Sequence, residues 1–276
     1  MSGNSKQIEF WNGAAGDTWV RSQERVDAML TDLSAMVLEK AAPQAGERVI
    51  DVGCGCGTTA LGLAERGASV CGIDISAPML ARAKERAAGM ENIAFAQADA
   101  ATQELTPDHQ LIFSRFGVMF FADPVSAFSN LRSGLSEDGR LVFICWQAPS
   151  ENPWVSLAGR VVQPFLPEGE PIDPRAPGPF AFANADYLRG ILEQAGFASI
   201  SIESRTMDLH IGDDLDSAMQ AQGEVGPVAR VLSELSGDDR AQALAAVREL
   251  FASHMTAKGL DLGGAVWLVS ATNASA

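Results

Sequence analysis

The residues best placed to hold a ligand cluster in Asp51-Val52-Gly53-Cys54-Gly55-Cys56-Gly57, followed by Thr58. Three alternating glycines make a turn against which a ligand can press bare backbone, because no side chain stands in the way. The acidic residue that opens the turn favours a cationic group such as an ammonium and disfavours a pyrophosphate. A dinucleotide-binding turn needs glycine or alanine at the sixth position counted from Gly53, where this chain has Thr58. A second carboxylate, Asp74 in Gly72-Ile73-Asp74-Ile75-Ser76, follows 23 positions after Asp51. At a strand end it can accept both hydroxyl protons of a ribose. Asp99, in Gln97-Ala98-Asp99-Ala100, is a third carboxylate at a strand end. Structural roles are open to each: a tight connection for the glycines, a helix cap for Asp74, for which Ser76 is better suited, and a turn former for Asp99.

The elements that must position these residues follow from hydropathic spacing. Val20, Val26, Met29, Leu30, Leu33, Val37 and Leu38 recur at helical intervals over 17–42, and Pro43 with Gly46 ends the pattern. A strand at 48–52, a helix at 58–66 and a strand at 69–73 form a βαβ unit. A helix at 78–88, strands at 93–98 and 110–114, a helix at 125–135 and a strand at 140–146 continue the alternation. Such an order predicts an α/β fold, a doubly wound, mostly parallel seven-stranded sheet of Rossmann-like type. After Trp146, eight prolines between Pro149 and Pro179, Pro167 and Pro171 among them, argue against any long regular element. Helix is expected again at 186–195, a long strand at 199–209, a helical block at 213–258 and a closing strand at 265–272. The 276 residues read as one elaborated domain, with an N-terminal helical cap (1–45), a cofactor-binding core (46–147) and two acceptor-side insertions or lids (148–185 and 213–260).

In its strand–turn–helix setting, the acidic residue followed by G-x-G-x-G resembles the first motif of class I S-adenosylmethionine-dependent methyltransferases. The run Ser114-Arg115-Phe116-Gly117-Val118-Met119-Phe120-Phe121, followed by Ala122-Asp123-Pro124, resembles the branch of that family related to ubiquinone and menaquinone biosynthesis. The resemblance covers about 49–146 and extends thinly to 11–19. It implies that Asp51, Gly53, Cys54, Gly55, Gly57 and Thr58 surround the amino-acid end of S-adenosylmethionine and that Asp74 holds the ribose. It further implies that Ile75 and Met79 pack on the adenine, that Asp99 and the Ala100 amide meet its polar edge, and that Ser114 and Arg115 lie along the methionine portion.

Methyl transfer from a sulfonium is an in-line displacement that needs alignment and exclusion of water more than a strong base. Of the three histidines, His210 is the best candidate base, because the end of a long strand can face the ligand crevice; a plain surface or core role is the alternative. Trp11 and Trp19 precede or open the first helix and can fold over the cofactor or anchor that helix. Phe116, Trp146, Trp154 and Tyr187 can line an aromatic or apolar acceptor pocket, with core packing as the other reading. Acceptor choice is expected to lie in the two insertions.

Composition limits the partners. A hydrophobic fraction of 47% allows a large core, and a formal net charge of -15 disfavours nucleic acid. No basic-then-apolar leader opens the chain and no apolar run reaches membrane-spanning length, so a cytoplasmic protein without a membrane partner is expected. The four cysteines lie in or beside apolar runs, and Cys54-x-Cys56 is too tightly spaced for the usual zinc pair, so neither disulfide nor metal is expected. The leading reading is methyl transfer to an oxygen, carbon or nitrogen of a small, aromatic or apolar molecule by a monomer or homodimer. The alternatives are a non-catalytic S-adenosylmethionine-binding regulator and a nicotinamide-dependent oxidoreductase.

Overall fold

In a computed structural model of the chain, described for residues 4–166, 173–224 and 227–273, the central feature is one sheet of seven strands. Four short helices come first: α1 (Ser5–Asn12), α2 (Ala14–Arg21), α3 (Gln23–Met29) and α4 (Thr31–Ala41). The alternating core follows as β1 (Arg48–Val52), α5 (Thr58–Glu65), β2 (Ser69–Asp74), α6 (Ala77–Arg86), β3 (Ile93–Gln97), β4 (His109–Arg115), α7 (Pro124–Ser133) and β5 (Leu135–Trp146). The remainder is α8 (Pro153–Val162), α9 (Ala185–Gln194), β6 (Phe197–Gly212), α10 (Leu215–Glu224), α11 (Pro227–Glu234), α12 (Gly237–His254) and β7 (Leu260–Asn273).

Strand order is β3-β2-β1-β4-β5-β7-β6, with β1 to β5 parallel and β7 antiparallel to both neighbours. The chain winds outward from β1 in one direction and from β4 in the other. Right-handed crossovers therefore put α5 and α6 on one face and α7 on the opposite one. The winding reverses between β1 and β4, and a crevice opens there beyond their carboxyl ends, the preferred ligand position in an open α/β sheet. The central parallel strands are buried on both faces, as β1 shows with only Arg48 exposed. Phe128 of α7 anchors one side, its ring 5.6 Å from that of Phe143 and 6.0 Å from that of Phe182. No helix among the described residues is long and apolar enough to cross a membrane.

Three expectations change. The single N-terminal helix over 17–42 is interrupted at Ser22 and Leu30, and α1 precedes it. Those breaks let the segment bend along the crevice. The proline-rich stretch is not without regular structure, because Pro153 occupies the first turn of α8, where its missing N–H and fixed φ are no handicap. Of that stretch, Pro167 and Pro171 lie outside the described residues, as do positions 225–226 of the second insertion. Within 148–185, Trp154, Val155, Ala158, Val162 and Phe182 join the core, and Asn152 is fully buried. Finally, β6 and β7 both run longer than their alternation implied, pairing as far as Gly212 with Leu260.

Candidate cofactor-binding site

The glycine turn leaves β1 at the switch point and enters α5. Gly53 has φ +67, and a Cβ there would stand 2.6 Å from the Cα of Gly117, at the turn that leaves β4. Glycine is therefore required at both ends of this approach, to close the crevice floor as well as to leave room for a ligand. Ser114 clamps the same junction: its hydroxyl donates to the Val52 carbonyl at 2.8 Å and accepts from the Gly117 amide at 3.0 Å.

Asp51 lies beneath the turn with no exposed surface. Its Oδ2 accepts from the Thr59 hydroxyl at 2.8 Å, while its Oδ1 is buried with no partner among the described residues. Burial pushes its carboxyl up to about 7, against the opposing pull of the Thr59 hydrogen bond and the Arg115 guanidinium. Asp74 supports the turn from β2, accepting from the Gly55 amide and the Ser76 amide, each at 2.8 Å. Burial raises this carboxyl too, and those amides act in the other direction. Ser76 occupies the N-cap position of α6, but its hydroxyl donates to the Trp11 carbonyl instead of capping.

Gly53, Cys54, Gly55, Thr58, Met79, Arg115 and Trp19 line one pocket. Cys56 of the glycine turn also lines it, as do Asp27 and Thr59, which carried no sequence signal of their own. Asp27 is the hub of a charged network. It accepts from the Thr58 hydroxyl at 2.6 Å and lies 3.3 Å from Arg86 and 3.4 Å from Arg115. Arg115 also donates to the Ser34 hydroxyl, and Arg86 to the Cys56 carbonyl and Thr58 hydroxyl, each at 2.8 Å. Two guanidiniums thus face one carboxylate at the mouth of the glycine turn, next to a buried carboxyl with an unpartnered acceptor oxygen. Cys56 stays a thiol, its pKa pushed up to about 11 by burial, and Cys54 moves the same way.

The N-terminal segment closes over the β2–α6 side. Asn12 donates to the Ile75 carbonyl at 2.9 Å and accepts from the Ala77 amide at 3.0 Å. The Trp11 ring meets Trp19 edge to face at 5.7 Å and Phe120 at 5.5 Å. At the end of β3, Asp99 Oδ1 accepts from Asn4 and from the Ala101 amide, each at 3.0 Å; Ala100 is buried, its carbonyl accepting from Asn130.

In the turn leaving β4, Phe116 adopts φ +66, a strained conformation for an aromatic residue. Its ring stacks on Trp146 at 4.4 Å and 9°, and Trp146 meets Trp154 at 4.9 Å. Phe116 is half-buried, whereas Trp146 and Trp154 are buried in the core. The two tryptophans therefore back the Phe116 ring. The structure does not bring the two other acceptor-side candidates into this group. Tyr187 sits on α9 under the Arg175 guanidinium, 4.4 Å from the ring centroid. His210 is five residues along β6 beyond Arg205, the residue level with Trp146 across β7. Both of its ring nitrogens are engaged, Nδ1 by Asp261 at 2.8 Å and Nε2 by Asp213 at 3.1 Å.

Residues 49–139 match the model of a family described as methyltransferase domain. Aklanonic acid methyltransferase from a Streptomyces strain is 33% identical over 153 residues, 53% of this chain and 65% of that protein. Demethylmenaquinone methyltransferase from Clavibacter sepedonicus is 33% identical over 109 residues, 39% of this chain and 44% of that protein. The chain thus spans less than two thirds of the curated relatives it matches. The crystal structure of the YcgJ protein from Bacillus subtilis superposes with a TM-score of 0.59 at 17% identity, over 88% of this chain and 98% of that one. Haemonchus contortus phosphoethanolamine N-methyltransferase 2, solved in complex with S-adenosyl-L-methionine, gives 0.59 at 16% identity, over 97% and 60%.

Proposed function

We propose that this chain, whose residues 49–139 are a methyltransferase domain on a class I Rossmann-like sheet, binds S-adenosylmethionine at the β1–β4 crevice and methylates a small, aromatic or apolar molecule. The observation that carries the reading is the buried Asp51 with its unpartnered Oδ1 under the glycine turn. A buried carboxyl oxygen without a donor is costly unless a ligand supplies one. An amino-acid end, with its ammonium and its carboxylate, fits what surrounds it. The ammonium would pair with Asp51, and the carboxylate with Arg115 and Arg86, which outnumber Asp27 in charge. A pyrophosphate would place its charge beside Asp51 and Asp74 instead.

When bound, S-adenosylmethionine supplies a sulfonium-activated methyl group. The chain's own part is to orient and to exclude water. Asp74 would hold the ribose while keeping the Gly55 amide in place, Met79 and Ile75 would flank the base, and Asp99 would accept from its exocyclic amine. Trp11 and Trp19 cover the crevice from the N-terminal segment. The half-buried Phe116 ring, fixed by its stack on Trp146, is the surface offered to the acceptor. A planar or apolar acceptor suits such a ring, and the names of two curated relatives refer to small molecules, aklanonic acid and demethylmenaquinone. No histidine is assigned to proton transfer, because none of the described histidines lines the pocket.

Calorimetric titration tests this reading, with S-adenosylmethionine and its demethylated product S-adenosylhomocysteine against nicotinamide dinucleotides, on the wild type and on Asp74→Ala. Specific binding of the first pair, lost in a variant that keeps its circular dichroism, is the expected result. Binding of a nicotinamide dinucleotide alone would overturn it.

A further inference from the structure

Asn4 stands at the N-cap of α1, and an asparagine there ordinarily turns its side chain onto the helix's free amides. This one makes no such bond. Its Nδ2 donates instead to Asp99 Oδ1 at 3.0 Å, across 95 positions of sequence. A carboxylate can only accept, so the amide orientation is fixed, with Nδ2 toward Asp99 and Oδ1 away from it. The residue is only 8% exposed, and that Oδ1 is buried without a donor among the described residues. Asp99 Oδ1 is doubly used, by Asn4 and by the Ala101 amide, while Asp99 Oδ2 takes no donor among the described residues. Two acceptor oxygens on adjoining side chains therefore await donors, one of them in a buried position.

We infer that Asn4 is a specificity-determining residue for the cofactor's base. Resting on the cofactor reading above, the inference is that Asn4 Oδ1 and Asp99 Oδ2 each accept one of the two N–H groups of the adenine exocyclic amine. An amine satisfies both oxygens at once. A 6-oxo purine offers an acceptor there, leaves both without a donor and sets its oxygen against a carboxylate, so it is rejected. The Nδ2–Asp99 bond makes the N-terminal strap part of the base site: it holds Asn4 in position and keeps Asp99 oriented.

The test is calorimetry with S-adenosylhomocysteine and with its 6-oxo counterpart, S-inosylhomocysteine, on the wild type and on Asn4→Ala. One lost hydrogen bond corresponds to roughly three- to tenfold in affinity. Asn4→Ala is expected to weaken the adenine compound by about that factor while leaving the 6-oxo compound unchanged or slightly tighter, so that discrimination shrinks. Equal weakening of both compounds would mean that Asn4 only fastens the strap and would overturn the inference, as would no change in either. A wild type that binds neither compound would overturn the cofactor reading itself, and this inference with it. If the alanine variant unfolds, Asn4→Ser gives the same comparison with a hydroxyl too short to reach the amine.

Discussion

Replacing Asp51 with asparagine should change the pH dependence of stability in a way that no surface carboxylate could. A carboxyl held at about 7 in the folded chain, against an ordinary 3.8, corresponds to about 4 kcal/mol of linkage. Asp51 has no exposed surface, so solvent screening does not reduce this figure. The sign follows from proton binding. Below about pH 4 both states are protonated and the contribution to stability is fully present. As pH rises, the unfolded chain gives up its proton first, and the contribution is lost progressively until the folded carboxyl ionises near 7. The substituted amide would not titrate. It would instead be left short of a partner, costing about 1–3 kcal/mol at every pH. Urea unfolding of the unliganded protein should therefore find Asp51→Asn the less stable form at pH 4 and the equal or more stable form at pH 8. A difference between the two proteins that stays constant from pH 4 to 8 would refute the idea that this carboxyl is buried without compensation. The same group predicts the ligand's behaviour. An ammonium favours the ionised carboxylate, so wild-type affinity for S-adenosylhomocysteine should rise with pH through about 7, and the asparagine variant should lose this rise along with most of its affinity.

Gly53→Ala combines a positive φ with a Cβ placed 2.6 Å from Gly117; a loss of several kcal/mol in urea unfolding, or failure to fold, is expected, and a soluble variant of normal stability would show that the β1–β4 junction can open. Phe116→Leu removes the ring that stacks on Trp146; steady-state kinetics with a working acceptor should show KM for the acceptor raised about tenfold or more with cofactor affinity nearly unchanged. His210→Gln should keep turnover within about twofold, since its ring is engaged by Asp261 and Asp213 away from the pocket. In stability it should matter only at lower pH. Asp261 raises the imidazole's pKa, so the ion pairs contribute fully below the ordinary value of 6.5 and fade as pH rises through the raised one.

Much of the core was legible because its signals are local. Strand, turn and helix alternate with short periods, and Asp51, the glycine turn and Asp74 occupy strand ends whose places follow from that alternation. The aromatic residues beyond the glycine turn were harder to read. Trp146 and Trp154 are as aromatic as Phe116, and only packing tells that two are core and one is half-open. The prolines of 148–185 read as breakers because a proline at the first turn of a helix has the same letter as one that ends it. The overlong antiparallel β6–β7 pair joins two segments of which neither alternates cleanly to its end.

By itself the sequence determined the fold class, the position of the glycine turn and two carboxylates that serve it. Each depends on neighbours within a few positions, where spacing is fixed by backbone geometry. The tertiary structure alone decided that Asp27, Arg86 and Arg115 share one charged cluster, that Asn4 meets Asp99, and that His210 stands elsewhere. The Asp27–Arg115 and Asn4–Asp99 contacts join residues 88 and 95 positions apart, set by how helices fold back over a finished sheet. No period in the sequence records that distance.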